Sequence, residues 1–295
     1  MTLLILTRSD DFGVDLVERY LEKEYLRLNI DKELDFSFAL RPDYWEVEKD
    51  GKLVSSIDSS VIWMWKCFLS DSERDNFEQK EITYSINEIY SFHRRRRKVK
   101  GNPPYFHTLN GKIFILQIAS KYFKIPETEV VYNRKTQLEN DTLVAKSLSS
   151  EPFTNGKVLF TTRVSREFID PLNIWYLQQL TEAVADVTIF IAGNDYFMYS
   201  RDRRPEGSID WRREQADDPL AERWTKISPS GDHETRISKF ITDLQVEWGR
   251  LDFLLTSSDQ LVFLEFNANG QFGFLDPTAE NGLIRGICRY LESIE

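Results

Sequence analysis

Two acidic side chains and an asparagine near the C-terminus have the types and spacing of a magnesium site. Asp252 lies in the apolar run LDFLL, and Glu265 and Asn267 lie within and just after the apolar run LVFLEF. The SSDQ segment between the runs favours a tight turn, so the whole segment predicts a β-hairpin. Carboxylate and amide oxygens are hard ligands that suit Mg²⁺, whose other positions are filled by water and phosphate oxygens.

The register of this hairpin decides whether the polar groups meet. A turn centred on Ser258 and Asp259 pairs Ser257 with Gln260. Further along the strands, the same register gives two polar pairs on one face, Asp252 with Glu265 and Arg250 with Asn267. The opposite face takes Leu251, Phe253, Leu264 and Phe266. Because opposed carboxylates repel each other, the pair indicates a bound cation; the alternative is a surface hairpin whose charges point to water.

The charge and hydropathy of the chain exclude several classes of function. Its 295 residues carry a net charge of −10, which argues against nucleic acid as the general partner because phosphate binding needs a basic surface. No stretch has the roughly 20 apolar residues of a membrane span, so we expect a cytoplasmic protein without a membrane partner. Cys67 and Cys288 lie far apart in the chain, which fits a reducing compartment.

The N-terminal part of the chain has the periodicity of a small α/β unit followed by a helix. The runs LLIL at 3–6 and VIWMW at 61–65 predict buried strands, and apolar residues at helical spacing after the first run predict a helix. The breaker GNPPY at 101–105 predicts a boundary. A further helix is expected from Lys112 to about Phe123.

The segments between this helix and the hairpin alternate short strands with turns and one long polar stretch. We expect a small sheet within 129–165, a helix start or turn in 171–183, a strand pair around Gly193 and Asn194, a long functional loop over 201–235 and a helix over 235–248. The mixture of elements indicates an α/β (α+β) protein, and its length favours more than one subdomain.

Several segments of the chain resemble one enzyme family. The string EFNANGQ at 265–271, with Asp252 thirteen residues before it, resembles the metal-binding signature of ATP-grasp ligases. Further segments are similar to those of graspetide synthetases, the microviridin-type peptide macrocyclases. These segments are ILTRSDDFGVDLVERYL, IWMWKCF, GNPPYFHTLNGKIFILQIASKYFKIPET, DWR at 210–212 and GQFGFLD.

This resemblance implies an ATP-grasp fold and a reaction. It implies a pre-ATP-grasp domain over 1–112, a central lid domain over 113–185 and a C-terminal antiparallel-sheet domain over 186–295. ATP and two Mg²⁺ ions would be the cofactors. The family phosphorylates an Asp or Glu side chain of a ribosomally made precursor peptide, and a Ser or Thr hydroxyl or a Lys amine then closes an ω-ester or ω-amide ring. Family members are often homodimers.

The resemblance also assigns roles to residues. Lys146 matches the lid-strand lysine that contacts nucleotide phosphates, and Lys112 matches an earlier ATP-binding lysine, although a lone lysine is more often solvated. The hinge that presents backbone groups to adenine matches Gln178, Gln179 and Leu180, which could equally be an ordinary connector. Arg212 of the DWR segment matches an arginine that faces the transferred phosphate, and Arg250 is a second catalytic candidate.

The chain departs from the family where two cations are usual. Ala183 and Thr188 occupy those positions, whereas Asp186 is present. Either Arg163, Arg166 or Arg250 replaces the missing charges, or catalysis is weakened. Two other functions therefore stay open: another ATP-grasp ligase that acts on a free carboxylate, and a nucleotide-binding or peptide-carrier protein that has lost catalysis.

Basic groups are the candidates for binding an acidic precursor. Residues 93–98 read HRRRRK, which could dock an acidic peptide or a polyphosphate, or could be a solvated helix end. Arg201, Arg203 and Arg204 are further candidates, because opposite charges attract an acidic peptide.

Overall fold

The fold is described from a computed structural model for residues 2–31, 36–57, 61–66, 77–96, 98–102, 110–148, 160–203, 209–210 and 224–293. The strands are β1 (Leu3–Thr7), β2 (Tyr25–Asn29), β3 (Ser37–Arg41), β4 (Tyr44–Lys49), β5 (Lys52–Ser55), β6 (Val61–Met64), β7 (Val99–Lys100), β8 (Thr128–Val131), β9 (Thr142–Lys146), β10 (Thr162–Ser165), β11 (Trp175–Gln179), β12 (Ala185–Ala192), β13 (Asp195–Asp202), β14 (Thr225–Ile227), β15 (Trp248–Leu255) and β16 (Leu261–Asn267). The helices are α1 (Phe12–Glu18), α2 (Phe77–Arg94), α3 (Lys112–Ala119), α4 (Gly231–Leu244) and α5 (Leu283–Glu292), with a 3-10 helix at Arg166–Phe168.

The N-terminal part forms a parallel sheet in the order β2-β1-β6-β7. Every residue of β1 is buried, as its continuous apolar run predicts. Helix α1 begins where the Asp11 carboxylate accepts the backbone N–H of Val14 at 3.1 Å. The two strands and the helix expected here are therefore confirmed. The antiparallel β3–β5 meander, which was not predicted, packs against this sheet through Trp45 and Val47.

Strands β8 to β11 form a second, antiparallel sheet, called the lid sheet below, in the order β10-β9-β11-β8. Its core contains Val131, Leu143 and Leu177. The small sheet expected within 129–165 is confirmed, and β11 is added to it from the segment 171–183. That segment continues as a strand and not as a helix, because Leu177 packs into this core while the neighbouring Gln178 lines a cleft on the other side.

Strands β12 to β16 form a third sheet, called the C-terminal sheet below, in the order β14-β13-β12-β15-β16 and entirely antiparallel. Helices α3 and α4 pack on it through Leu116 and Phe240, which contact the cluster around Ile189 and Phe253. The predicted strand pair around Gly193 is confirmed as β12 and β13.

Two boundaries near the C-terminal sheet differ from the prediction. Helix α4 begins at Gly231 and ends at Leu244, where Gln245 takes a left-handed conformation with φ 56°. This residue stops the helix, so Trp248 begins β15 and does not end a helix. The expected loop over 201–235 also contains β14, which pairs with β13.

The mixed α/β class predicted from the sequence is confirmed. In the part of the chain that the structure describes, no helix is long and apolar enough to cross a membrane. The boundaries at 112 and 185 stay predictions. Helix α3, which follows the first of them, packs on the C-terminal sheet.

The first residue of the basic block, His93, is buried at the end of α2. Its ring lies against Trp45, with 5.0 Å between the ring centroids. Neither ring nitrogen has a hydrogen-bond partner among the described residues. Burial, together with the nearby Lys98 and Arg96, lowers the pKa of His93 to about 4. The imidazole therefore belongs to the core and is neutral near pH 7, while the arginine at 96 is exposed.

This buried imidazole should make the fold sensitive to acid. The ordinary pKa of 6.5 applies to the unfolded chain, so the unfolded state binds more protons than the folded state between pH 6.5 and 4. The free energy of unfolding should fall across that window, by up to about 1.4 kcal/mol per pH unit from this group. In urea unfolding at a series of pH values, His93→Leu should flatten this slope. His233→Leu is the matched control, and an unchanged slope in His93→Leu would contradict the account.

Candidate functional site

The polar ends of β15 and β16 bring the predicted metal-binding residues together. Asp252 lies opposite Glu265, and Arg250 lies opposite Asn267, so the register predicted at this end is confirmed. All four side chains line the same cleft. The side chains therefore converge as the alternation of a strand requires.

The turn of this hairpin differs from the prediction by one residue. The backbone N–H of Thr256 donates to the carbonyl of Gln260, which leaves a three-residue loop in which Asp259 is left-handed, with φ 58°. A β-bulge on β16, with Leu264 as the extra residue, shifts the register back before Glu265. Leu264 was predicted to face the core but lines the cleft beside Glu265. The two shifts cancel, which is why the polar register was predicted correctly.

Four donors surround the Asp252 carboxylate. Arg250 donates from Nε to Oδ1 and from Nη2 to Oδ2, both at 3.0 Å. The Thr188 hydroxyl donates to Oδ1 at 2.8 Å, and the Asn267 amide donates to Oδ2 at 2.6 Å. A forked guanidinium pair of this kind fixes the plane of the carboxylate. These donors therefore take the place that a bound cation would take at Asp252.

A glycine allows this close packing. A Cβ atom at Gly270 would lie 2.7 Å from the Cβ of Arg250 and 3.1 Å from the Cβ of Asn267. Any larger residue would push apart the two side chains that hold Asp252. The glycine of the NANGQ segment is thus required by the geometry beneath the site.

Two lysines neutralise the second carboxylate. Lys112 Nζ lies 3.7 Å from Glu265 Oε2 and donates to the carbonyl of Ser147 at 3.2 Å. Burial alone would raise the pKa of Glu265, but Lys146 and Lys112, with smaller help from its hydrogen bond to Asn267, lower it to about 2. Burial lowers the pKa of Lys146, and the charge of Lys112 contributes to that shift. Glu265 is therefore ionised across the physiological range.

The donor set fits magnesium better than a softer metal. The Asn267 amide bridges the carboxylates, 2.6 Å from Asp252 Oδ2 and 3.3 Å from Glu265 Oε1, and the same amide turned over presents an oxygen. In the described parts of the chain, no three His, Cys, Asp or Glu side chains cluster as a metal site. Two carboxylates and an amide suit an ion that takes few protein oxygens and completes its shell with water and phosphate.

These groups lie in a cleft of about 220 Å³ between the lid sheet and the C-terminal sheet. The lid sheet contributes Val144, Lys146, Gln178 and Gln179, and the C-terminal sheet contributes Asp186, Val187, Arg250, Asp252, Phe253, Leu254, Leu264, Glu265 and Asn267. Lys112 reaches the cleft from the start of α3. The structure therefore gathers around one cavity nearly all the site residues predicted within its described ranges.

The predicted hinge lies at the edge of this cleft. Strand β11 ends at Gln179, and Leu180 begins the connection to β12; both line the cleft. The buried amide of Gln178 donates to the Thr128 hydroxyl at 3.1 Å and to the Tyr176 hydroxyl at 3.3 Å. These bonds fix the orientation of the Gln178 side chain, so one wall of the cleft is rigid and polar.

Sequence reasoning noted Asp186 but missed its ion pairs with two arginines. Asp186 Oδ2 lies 3.5 Å from Arg203 Nε and 3.7 Å from Arg201 Nη1. Arg203 lines the cleft and Arg201 is buried, and the peptide-binding role suggested for both stays a prediction. The feature that could have revealed this ion pair is the pairing of β12 with β13, because it sets Arg201 opposite Asp186. Asp210 is a further cleft residue that was not assigned.

The remaining basic candidates are placed as follows. Arg163 and Arg166 are exposed and do not line the cleft, so Arg250 alone remains of the three suggested replacements for the missing cations. Arg212 and Arg204 lie outside the described residues, as does the arginine at 97. The role predicted for Arg212 stays a prediction.

Replacing Arg250 should show how strongly the carboxylates of Asp252 and Glu265 repel each other. Arg250→Leu leaves Asp252 and Glu265 partly buried without their shared guanidinium, so the protein free of metal and nucleotide should lose about 2–4 kcal/mol of unfolding free energy. Asp252→Asn in the same chain should recover part of that loss. Urea unfolding measures both. Arg289→Leu, which breaks an exposed ion pair with Asp195, is the control and should cost less than about 1 kcal/mol. Equal losses at Arg250 and Arg289 would refute the account.

The comparisons with known proteins rest on structure. No protein-family model and no curated protein sequence matches the chain. The RiPP-associated ATP-grasp ligase of Chryseobacterium gregarium, solved with ADP and a leader and core peptide, is 24% identical with a TM-score of 0.78, over 98% of this chain and 96% of that chain. The macrocyclase MdnC of Microcystis aeruginosa MRC, bound with the precursor peptide MdnA, is 19% identical with a TM-score of 0.78, over 99% of each chain.

A third solved structure extends the likeness. The ATP-grasp ligase PsnB, complexed with minimal precursor, Mg and ADP, is 13% identical with a TM-score of 0.72, over 98% of this chain and 96% of that chain. Coverage is almost complete in all three comparisons, so the likeness includes the N-terminal sheet, the lid sheet and the C-terminal sheet together. The fold implied by the sequence resemblance is thereby confirmed: this chain has the fold of the ATP-grasp ligases.

Proposed function

We propose that this protein is an ATP- and magnesium-dependent ligase that activates Asp or Glu side chains of a ribosomally made precursor peptide. It then closes ω-ester or ω-amide rings with Ser, Thr or Lys side chains of the same peptide. One observation carries the proposal. Two opposed carboxylates and an amide, ringed by Arg250, Lys112 and Lys146, lie inside the cleft of an ATP-grasp fold.

Each group has a task in such a reaction. Asp252, Glu265 and Asn267 would hold Mg²⁺, which would neutralise the charge of the phosphate oxygens. Lys112 and Lys146 would bind phosphate oxygens, and anionic phosphate would offset the cost of burying the Lys146 ammonium group. The protein then acts mainly by positioning charges, as phosphoryl transfer requires.

The chemistry consists of two transfers. A carboxylate oxygen of the peptide takes the γ-phosphoryl group of ATP, and ADP leaves. A hydroxyl or amine of the peptide then attacks the acyl carbon, inorganic phosphate leaves with the bonding electrons, and the attacking group loses its proton. Because water would hydrolyse the acyl phosphate, a covering lid sheet favours ring closure.

Arg203 supports an active enzyme over a binding protein that has lost catalysis. Ala183 and Thr188 remove two expected cations, but Arg203 lines the cleft beside Asp186 and supplies a guanidinium there. Thr188 is also useful in its own right, because its hydroxyl orients Asp252. The departures from the family pattern therefore change which residues supply charge and orientation.

A peptide partner is supported by the surface of the lid sheet and by the structural likeness. Val130, Tyr132 and Ile174 are exposed apolar side chains where β8 and β11 pair. Two of the similar structures contain a precursor peptide and one contains a leader and core peptide. We place the enzyme in the cytoplasm, where a buried free thiol such as Cys288 stays reduced. A homodimer stays a prediction.

Mass spectrometry of a candidate precursor tests the proposal. A suitable precursor is a short peptide encoded beside this gene and rich in Thr, Ser, Glu and Asp. With ATP and Mg²⁺, it should lose the mass of one water molecule for each ring closed, with one ADP released per ring. Omission of Mg²⁺ should abolish both changes. ADP release with a free amino acid as acceptor would favour a different ATP-grasp ligase, and ATP binding without ADP release would indicate lost catalysis.

The Glu265→Gln variant tests the hairpin itself. The variant keeps the side-chain shape but removes a ligand charge, so ring closure should fall below detection while the fold, measured by circular dichroism, stays intact. Glu88→Gln, at an exposed position of α2, is the matched control and should retain activity. Full activity of Glu265→Gln would show that this hairpin is not the metal site.

A further inference from the structure

A relay of hydrogen bonds joins the C-terminal sheet to the lid sheet. Arg203, directly after β13, donates from Nη2 to the carbonyl of Ile209 at 2.8 Å. The next residue, Asp210, accepts the backbone N–H of Thr161 through Oδ2 at 3.0 Å. Thr161 directly precedes β10 of the lid sheet. These two hydrogen bonds therefore link the two walls of the cleft.

This relay lies away from the covalent connection between the two sheets. The chain passes from the lid sheet to the C-terminal sheet through residues 180–184, after β11. Strand β10 is two strands away from β11 in the lid sheet, which is roughly 10 Å across the strands. The Asp210 bond thus holds the lid sheet at an edge that the covalent connection does not hold.

Burial makes hydrogen bonds to the Asp210 carboxylate necessary. Asp210 is only 4% exposed, and burial of a carboxylate is costly unless hydrogen bonds offset it. Its bond to a backbone N–H does not depend on which side chain stands at 161. Arg203 meanwhile fixes the carbonyl directly before Asp210 and lies beside Asp186. The lid sheet thus holds the Asp210 carboxylate through Thr161, and the C-terminal sheet holds the backbone before Asp210 through Arg203.

We propose that Asp210 is a positioning residue that latches the lid sheet over the cleft, with Arg203 orienting it. The inference rests on the proposed function in one respect, because it makes the latch a control on how long a nucleotide stays bound. In this proposal nucleotide leaves when the two sheets separate, and separation at β10 breaks the bond between Asp210 and Thr161. The bond to Thr161 requires an acceptor oxygen at position 210, whereas the charge of Asp210 acts separately, by favouring the charged form of Lys146.

This distinction gives a sharp pair of variants. Asp210→Asn keeps a side-chain oxygen that accepts the Thr161 N–H, and Asp210→Ala has none. Hydrogen exchange of residues 161–165, measured by mass spectrometry without nucleotide, should be roughly ten- to a hundredfold faster in Asp210→Ala. It should stay within about threefold of the parent protein in Asp210→Asn, since the acceptor remains. Asp202→Ala, which removes an exposed carboxylate from the end of β13, is the matched control.

Thr161→Pro provides the reciprocal variant, because proline lacks the N–H that Asp210 accepts. Combined with Asp210→Ala, it should accelerate exchange at β10 no further than either change alone. Circular dichroism and urea unfolding establish that each variant is folded. Unchanged exchange in Asp210→Ala, equal acceleration in Asp210→Asn, or additive effects in the double variant would each overturn the latch.

A second measurement links the latch to nucleotide. Release of a fluorescent ADP analogue, followed by stopped flow with Mg²⁺, should accelerate in Asp210→Ala roughly as much as exchange does, and much less in Asp210→Asn. If the parent protein does not bind the analogue, the proposed function fails while the exchange data still decide the latch. If the analogue binds but its release rate is the same in Asp210→Ala, the latch does not control nucleotide.

Discussion

The repulsion between the carboxylates of Asp252 and Glu265 is the constraint on which the arrangement of this protein depends. The strands cannot move the two carboxylates apart, because the pairing of β15 with β16 fixes the groups face to face. Relief comes from cations carried by separate elements: Arg250 on β15, Lys112 at the start of α3 and Lys146 on the lid sheet. The charge balance is complete only when these elements are assembled, so electrostatics couples the site to the tertiary fold.

Apolar packing joins the N-terminal and C-terminal sheets into one base, whereas the lid sheet has only a small core of its own. Trp63, Trp65, Trp248 and Phe272 pack ring against ring where the N-terminal and C-terminal sheets meet. Asn102 donates to the carbonyls of Trp248 and Ala268, at the two ends of the hairpin base. The lid sheet has its own small core, and segments with few buried apolar contacts open at lower free energy. The base can therefore hold the carboxylates in place while the lid sheet moves.

The sequence predicted what depends on local periodicity and failed where distant segments meet. Apolar runs predicted β1, β6 and both strands of the hairpin, and alternation predicted the polar pairs. The β11 strand was uncertain because its burial is set by the neighbouring β8 and β9. Asp186 and Arg201 meet only through strand pairing, and Asp210 meets Thr161 across a gap of 49 residues. The hinge and the phosphate-contacting lysines came from family resemblance, since nothing local distinguishes them.

The bulge at Leu264 has a consequence for which side chains of β16 reach the core. A three-residue loop and one extra residue on β16 together restore the facing of Asp252 and Glu265. A regular hairpin closed by a two-residue turn at Ser258 and Asp259 would keep that facing, but it would exchange the two sides of β16 between the turn and the bulge. Phe263, which is fully buried, would then point into the cleft and Leu264 into the core. The bulge therefore keeps the larger aromatic ring in the core without moving the carboxylates.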